Sequence, residues 1–241
     1  MKYALFEGHR IEPKKGLRAV CPYCENEVIS KCGSVKMHHW AHKNDLNCDI
    51  WKENELQWHR NWKNQFPAEW QERIFTDTQT GEKHIADVCT DNNFIIEFQH
   101  SPISEEEKVS RETFYKEMCW IVDASGVRFR KRFFEKGLIY PYTQLPGFYF
   151  IDNPPNALPP QWLQRNSFVF LDFKGDSDER QFDDLWCLVP TTVKTTNTLA
   201  LRIARIDFVE MTKNNVLPSY LISLRDGLSK TLEARKKRWH L

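Results

Sequence analysis

"IIEFQHS", Ile95–Ser101, reads as a buried strand with an acid set into it: Ile95, Ile96 and Phe98 suit a pleated core, and Glu97 has no packing purpose among them. A carboxylate buried without a partner costs several kcal/mol, so a positive charge must meet it. "HIADV" raises the same question at Asp87, ten residues earlier. If the two runs are neighbouring strands joined across Asp91-Asn92-Asn93, their acids can converge on one side, and two hard oxygen donors there suit Mg²⁺ or Mn²⁺. Strand alternation places Gln99, and then Ser101, on the face of Glu97. The spacing of acid, about ten residues, then Glu-x-(Lys/Gln) is that of a metal-dependent nuclease of the PD-(D/E)xK type.

"AEWQERIFT" is a further strand whose Glu69 or Glu72 can add a carboxylate, and a turn at Thr80-Gly81 joins it to "KHIADVCT" as part of a meander. "SEEEKVSRETFYKEM" opens with Ser104 and Glu107 three residues apart, the capping-box signature of a helix. "CWIVDAS" then reads as a buried strand. Upstream, "DLNCDIWKENELQWHRNWKNQF" predicts an amphipathic helix from an N-cap at Asn44 or Asp45 to a stop at Pro67, with Leu46, Ile50, Leu56, Trp58, Trp62 and Phe66 on its apolar stripe. Glu55, His59 and Lys63, four apart, share another stripe. That stripe is either an exposed face worth ~0.2–0.5 kcal/mol per pair or part of the site. Helix, three strands, helix and strand make a mixed α/β core.

Residues 1–45 read differently, as short strands and tight turns punctuated by Gly8, Gly16 and Gly33. So short a stretch needs a staple. "CPYC" (Cys21, Cys24) followed by "HHWAH" and Cys48 supplies one, because a two-thiol knuckle closed by His42 or His39 together with Cys48 makes a tetrahedral Zn²⁺ site. The alternative, a redox pair, calls for a βαβ context that is missing around CPYC. Cys32 has no partner at useful spacing, while Cys89, Cys119 and Cys187 sit in apolar runs as core cysteines.

Beyond about residue 138 the chain reads as a region of its own. A proline-rich irregular segment precedes the strands "NSFVFLDFK" and "LWCLVP"; "ALRIARIDFVEMT" fits helix or strand, and the C-terminus is a basic helix whose KKR cluster is a solvated face or, as the alternative, a phosphate contact. Lys+Arg 34 against Asp+Glu 33 makes any nucleic-acid surface a local patch. Seven cysteines leave an odd one in any pairing and argue against a disulfide framework. The chain lacks an apolar run of roughly 18 residues and a signal-peptide pattern, so the expectation is a cytoplasmic protein with no membrane partner.

In their order, "CPYC…HHWAH", "ENELQWHRNWK", "IADV", "IIEFQHSPISEEE", Arg111, Tyr115 and "CWIVD" resemble the CoiA-like competence protein family over roughly residues 1–130. The resemblance implies a zinc-finger-like region at 1–45, a restriction-endonuclease-like nuclease core at 46–137, and leaves 138–241 without a role. It implies Asp87 and Glu97 as metal-binding acids and Gln99 in the usual lysine position. Phe98 would offer its backbone carbonyl to the ion, Glu69 would be the earlier acid, His59 and Lys63 the helix motif, and Arg111 and Tyr115 the helix residues closing the site. Two departures stand out: Trp40 replaces the usual Phe in the His-x-x-His motif, and Lys83-His84-Ile85 stands where the family has an arginine before "ADV".

The expected function is Mg²⁺- or Mn²⁺-dependent hydrolysis of DNA phosphodiesters in the processing of incoming or foreign DNA, as endonuclease or exonuclease, in competence, recombination or defence. The alternative is a catalytically inactive nuclease fold that binds DNA or protein, with 138–241 docking a protein partner or a second copy.

Overall fold

Glycine turns decide the architecture of the first thirty residues. Gly8 and Gly16, with φ of 79° and 82°, take the left-handed conformation that tight turns between short strands require. In this computed structural model, which describes residues 1–43, 48–49, 51, 55–137, 139–142, 147–176, 179–190 and 198–239, the chain divides into two compact units, Met1–Cys89 and Thr90–Leu241.

The first unit opens with β1 (Ala4–Phe6), β2 (His9–Ile11), β3 (Arg18–Val20), β4 (Glu27–Lys31) and β5 (His39–His42), an antiparallel sheet in the order β2-β1-β3-β4-β5. Its core is small, built on Ala4, Ala19, Cys21, Val28 and Trp40. Helix α1 (Gln57–Lys63) follows, and then an antiparallel hairpin of β6 (Gln71–Thr76) and β7 (Lys83–Cys89). The hairpin turn is closed by Asp77, whose carboxylate accepts from the backbone of Gln79 and Thr80 at 2.8 and 2.9 Å, and by Gly81 at φ 75°.

Helix α1 is shorter than the apolar spacing predicts. Leu56 is extended (φ −99°, ψ 169°) and Glu55 precedes it, so the helix starts at Gln57. The expected N-cap at Asn44 or Asp45, and with it Leu46 and Ile50, lies outside the described residues. The strand expected from Ala68 begins only at Gln71, after a 3-10 turn over Ala68–Trp70.

The second unit contains β8 (Ile95–Gln99), α2 (Glu105–Tyr115), β9 (Met118–Asp123), α3 (Val127–Lys131), β10 (Ile139–Pro141), β11 (Phe148–Ile151), α4 (Pro154–Ala157), β12 (Phe168–Asp172), β13 (Asp184–Leu188), β14 (Thr198–Ala204), α5 (Arg205–Lys213) and α6 (Leu217–Trp239). Within this unit the strands run in the order β10-β11-β14-β13-β12-β9-β8. β8, β9 and β12 are mutually parallel and the rest pair antiparallel, which makes the sheet mixed. The parallel strands are buried along nearly their whole length because both faces are covered.

Ser104 caps α2 by accepting from the Glu107 backbone at 3.1 Å, as the capping box predicts. Residues 138–241 place five strands, β10 to β14, in the sheet that holds β8 and β9. "ALRIARIDFVEMT" is both things at once: strand to Ala204, helix from Arg205. Cys89, Cys119 and Cys187 are buried core residues. Among the described residues no helix is long and apolar enough to cross a membrane.

Candidate functional site

The CPYC segment turns because Glu25 takes a positive φ of 60°. Cys21 donates its N–H to Asn26 O and accepts from Glu25 N, both at 2.9 Å, and the closed turn presents two thiols on one side. His42 ends β5 and Cys48 follows it; the ligand atoms of Cys21, Cys24, His42 and Cys48 all lie within 4.8 Å of one another. Cys21 Sγ is 3.9 Å from Cys48 Sγ, and Cys24 Sγ is 3.2 Å from His42 Nε2. A tetrahedral zinc with Zn–S of about 2.3 Å has edges near ~3.8 Å, so this Cys3His set fits a structural zinc. His39 turns away, its Nδ1 2.9 Å from Met37 O. Burial, together with the neighbouring Cys21 and Cys24, pushes the Cys48 thiol up to about 12. Burial also raises Cys21. Thiols crowded this way need a cation before they ionise together.

The knuckle is clasped to β7. Tyr23 donates its hydroxyl to Lys83 O at 2.6 Å, while Lys83 Nζ donates to Tyr23 O at 2.6 Å and lies over the Tyr23 ring. Asp49, next to the ligand Cys48, receives the Ile85 N–H at 2.8 Å and pairs with His84 Nδ1 at 2.9 Å; Trp51 stacks on the His84 ring. Lys83 and His84 are therefore engaged in holding the zinc region to the strand that bears Asp87. Nothing in residue spacing signals this clasp.

Deeper in the same unit the helix stripe resolves into a buried charge cluster. Lys63 Nζ lies 2.6 Å from Glu55, 2.9 Å from Glu72 and 3.7 Å from Asp87, with 4% of its side chain exposed. Arg60 pairs with Glu55 at 2.6 Å. Burial pulls the Lys63 pKa down, but Glu72, Glu55 and Asp87 outweigh it and hold the ammonium well above the usual lysine value. Burial raises Glu72, yet Lys63 and the Lys2 backbone N–H bring it far below the ordinary carboxylate range. Glu55 is lowered in the same way against its burial. The stripe is thus a buried network, not an exposed helix face.

Glu72 reaches Lys63 from a strained backbone, φ 46° inside β6. Its carboxylate also takes the Lys2 N–H at 2.8 Å. Glu69, expected in the strand, sits exposed in the preceding 3-10 turn. His59 is buried with its ring edge-on to Trp58. Asp87 keeps 24% of its side chain exposed.

In the second unit Glu97 and Gln99 share one face of β8, with Phe98 buried between them on the other. Arg111 Nη1 donates to Glu97 Oε2 at 3.1 Å and its other nitrogen pairs with Glu107. Gln99 Nε2 donates to Ser101 O at 2.9 Å. Tyr115 is buried, edge-on to Phe114.

These features define a mixed α/β protein with a small antiparallel sheet built around a Cys3His cluster able to hold structural zinc. Residues 10–51 match the family described as Competence protein CoiA, N-terminal domain, a stretch that includes all four cluster residues. No curated protein matches the chain, and no solved structure does.

Proposed function

We propose that the chain is a Mg²⁺- or Mn²⁺-dependent deoxyribonuclease of restriction-endonuclease-like fold, with Asp87 and Glu97 as its metal-binding acids, and that it works in a competence-related role on incoming DNA. The observation that carries this reading is the Lys63 cluster: buried acids gathered on one ammonium, with the partly exposed Asp87 at its open end. Such a layout leaves the Asp87 carboxylate open to a divalent ion, through which a polyanionic substrate would be met. The pairing of Asp87 with Glu97 rests on their spacing in the sequence.

A divalent ion held by these carboxylates would polarise the scissile phosphate and acidify a bound water. Lys63, held protonated by its acids, cannot act as a general base at neutral pH; it stabilises charge growing on the phosphate. Arg111 orients Glu97 by a charge-assisted hydrogen bond. Gln99 has no titrating group, so its amide orients and does not accept the water's proton.

A second reading, a nuclease fold that binds DNA without cutting it, is favoured by one observation: Arg111 already supplies a countercharge to Glu97. Incubation with single-stranded, duplex and branched DNA in Mg²⁺ or Mn²⁺ separates the two. The nuclease reading expects metal-dependent cleavage of at least one substrate; binding to all with cleavage of none would select the second.

A further inference from the structure

A cavity of about 580 Å³ opens in the first unit beside the Lys63 cluster. Its size falls in the range of small-ligand sites, about 300–1,000 Å³. Ala68 and Ile74 give it apolar walls, and Tyr3, Arg10, Arg73 and Glu69 give it polar ones. Arg10 is fixed as a flat plate: its guanidinium lies 4.0 Å from the centre of the Tyr3 ring and donates to Ala68 O at 2.8 Å and to Gln71 O. Glu72 shares the wall and binds Lys63 at 2.9 Å, so the cavity borders the cluster that includes Asp87.

We infer that this cavity receives one unstacked nucleobase of a DNA strand, an inference that rests on the nuclease reading above. Three features select this chemistry. A planar heterocycle stacks on a guanidinium or aromatic plate with either apolar side wall beside it. Glu69 offers an acceptor for an exocyclic amino group, as on adenine or cytosine. Arg73 and Arg10 place cations at the wall where the attached phosphodiester would run. A base paired within a duplex is stacked and cannot enter, so the preferred substrate is single-stranded or frayed DNA.

The test is fluorescence anisotropy of the full chain, loaded with zinc, in Ca²⁺ without Mg²⁺ or Mn²⁺. The probes are a labelled oligo-dA, an abasic strand with the same phosphates, and a duplex. Wild type is expected to bind oligo-dA about tenfold more tightly than the abasic strand. Ala68→Trp, which fills the cavity from an exposed turn, should erase that preference and leave duplex affinity unchanged; Arg10→Ala, a second variant that removes the stacking plate and adds no bulk, should bring oligo-dA affinity toward that of the abasic strand. Equal wild-type affinity for the base-bearing and abasic strands would overturn the inference, as would an unchanged preference in both variants. The base preference without cleavage of any DNA in Mg²⁺ or Mn²⁺ would uphold the cavity and sink the nuclease reading. Cleavage with no base preference would do the reverse.

Discussion

The first unit holds two charged clusters built on opposite principles. The Cys3His cluster gathers thiols and an imidazole with no protein cation among its donors, so its charge balance is left to a metal ion. The Lys63 cluster gathers Glu55, Glu72 and Asp87 around an ammonium the chain itself provides. The difference separates donors that need a metal ion before they ionise together from buried acids that already meet a protein cation.

The largest effect should come from metal removal. Structural zinc contributes about 10 kcal/mol or more of apparent binding free energy in small domains. Cys21→Ser is expected to lower the zinc content below one per chain and to abolish cooperative melting of the first unit, read by metal analysis and circular dichroism. Full zinc content and an unchanged melt would remove the structural role.

Next in size is Lys63→Met. It leaves Glu55 and Glu72 facing one another without their shared cation, and breaking such a pair costs about 3–5 kcal/mol. Urea unfolding at neutral pH measures the loss, with zinc content unchanged.

The same cluster sets a pH signature. Glu72 has a depressed native pKa, so its contribution is complete above the ordinary carboxylate value and disappears as pH falls toward the native one. Lys63 has a raised native pKa, so its contribution is complete below the ordinary lysine value and fades as pH rises through the native one. In Glu72→Gln, urea midpoints should fall less steeply between about pH 5 and 3 than in wild type. An unaltered acid limb would show that the buried pair does not carry it.

The smallest effect belongs to the exposed pair Arg18–Glu27, whose side chains are 69% and 42% exposed. Arg18→Ala should change stability by no more than about 0.5 kcal/mol in the same urea assay.

Much of this was legible in the sequence where one physical rule acts alone. Cysteine and histidine spacing pointed to the zinc cluster, and only coordinates could exclude His39 in favour of His42. Period-two alternation placed Glu97 and Gln99 on one face of β8. The mixed α/β class followed from the order of helices and strands. Tertiary contacts hid the rest. The helix over-extended in the sequence because Glu55 reaches Arg60 and Lys63 from an extended segment that apolar periodicity cannot distinguish from another turn. Of the two acids left open, Glu69 and Glu72, it is Glu72 that meets Lys63, through a left-handed backbone that residue type does not announce. The clasp from Tyr23, Asp49 and Trp51 to β7 joins residues tens of positions apart, and no local pattern encodes it.

The proposed nuclease reaction puts cutting on Asp87 and Glu97. Its most direct test is single-turnover cleavage of a defined DNA in Mn²⁺ by wild type, Asp87→Asn and Glu97→Gln, each checked first for full zinc content and a cooperative melt. Wild type is expected to cut and either amide to slow cutting by about a hundredfold or more; cutting by both variants at the wild-type rate would rule out the acid pair.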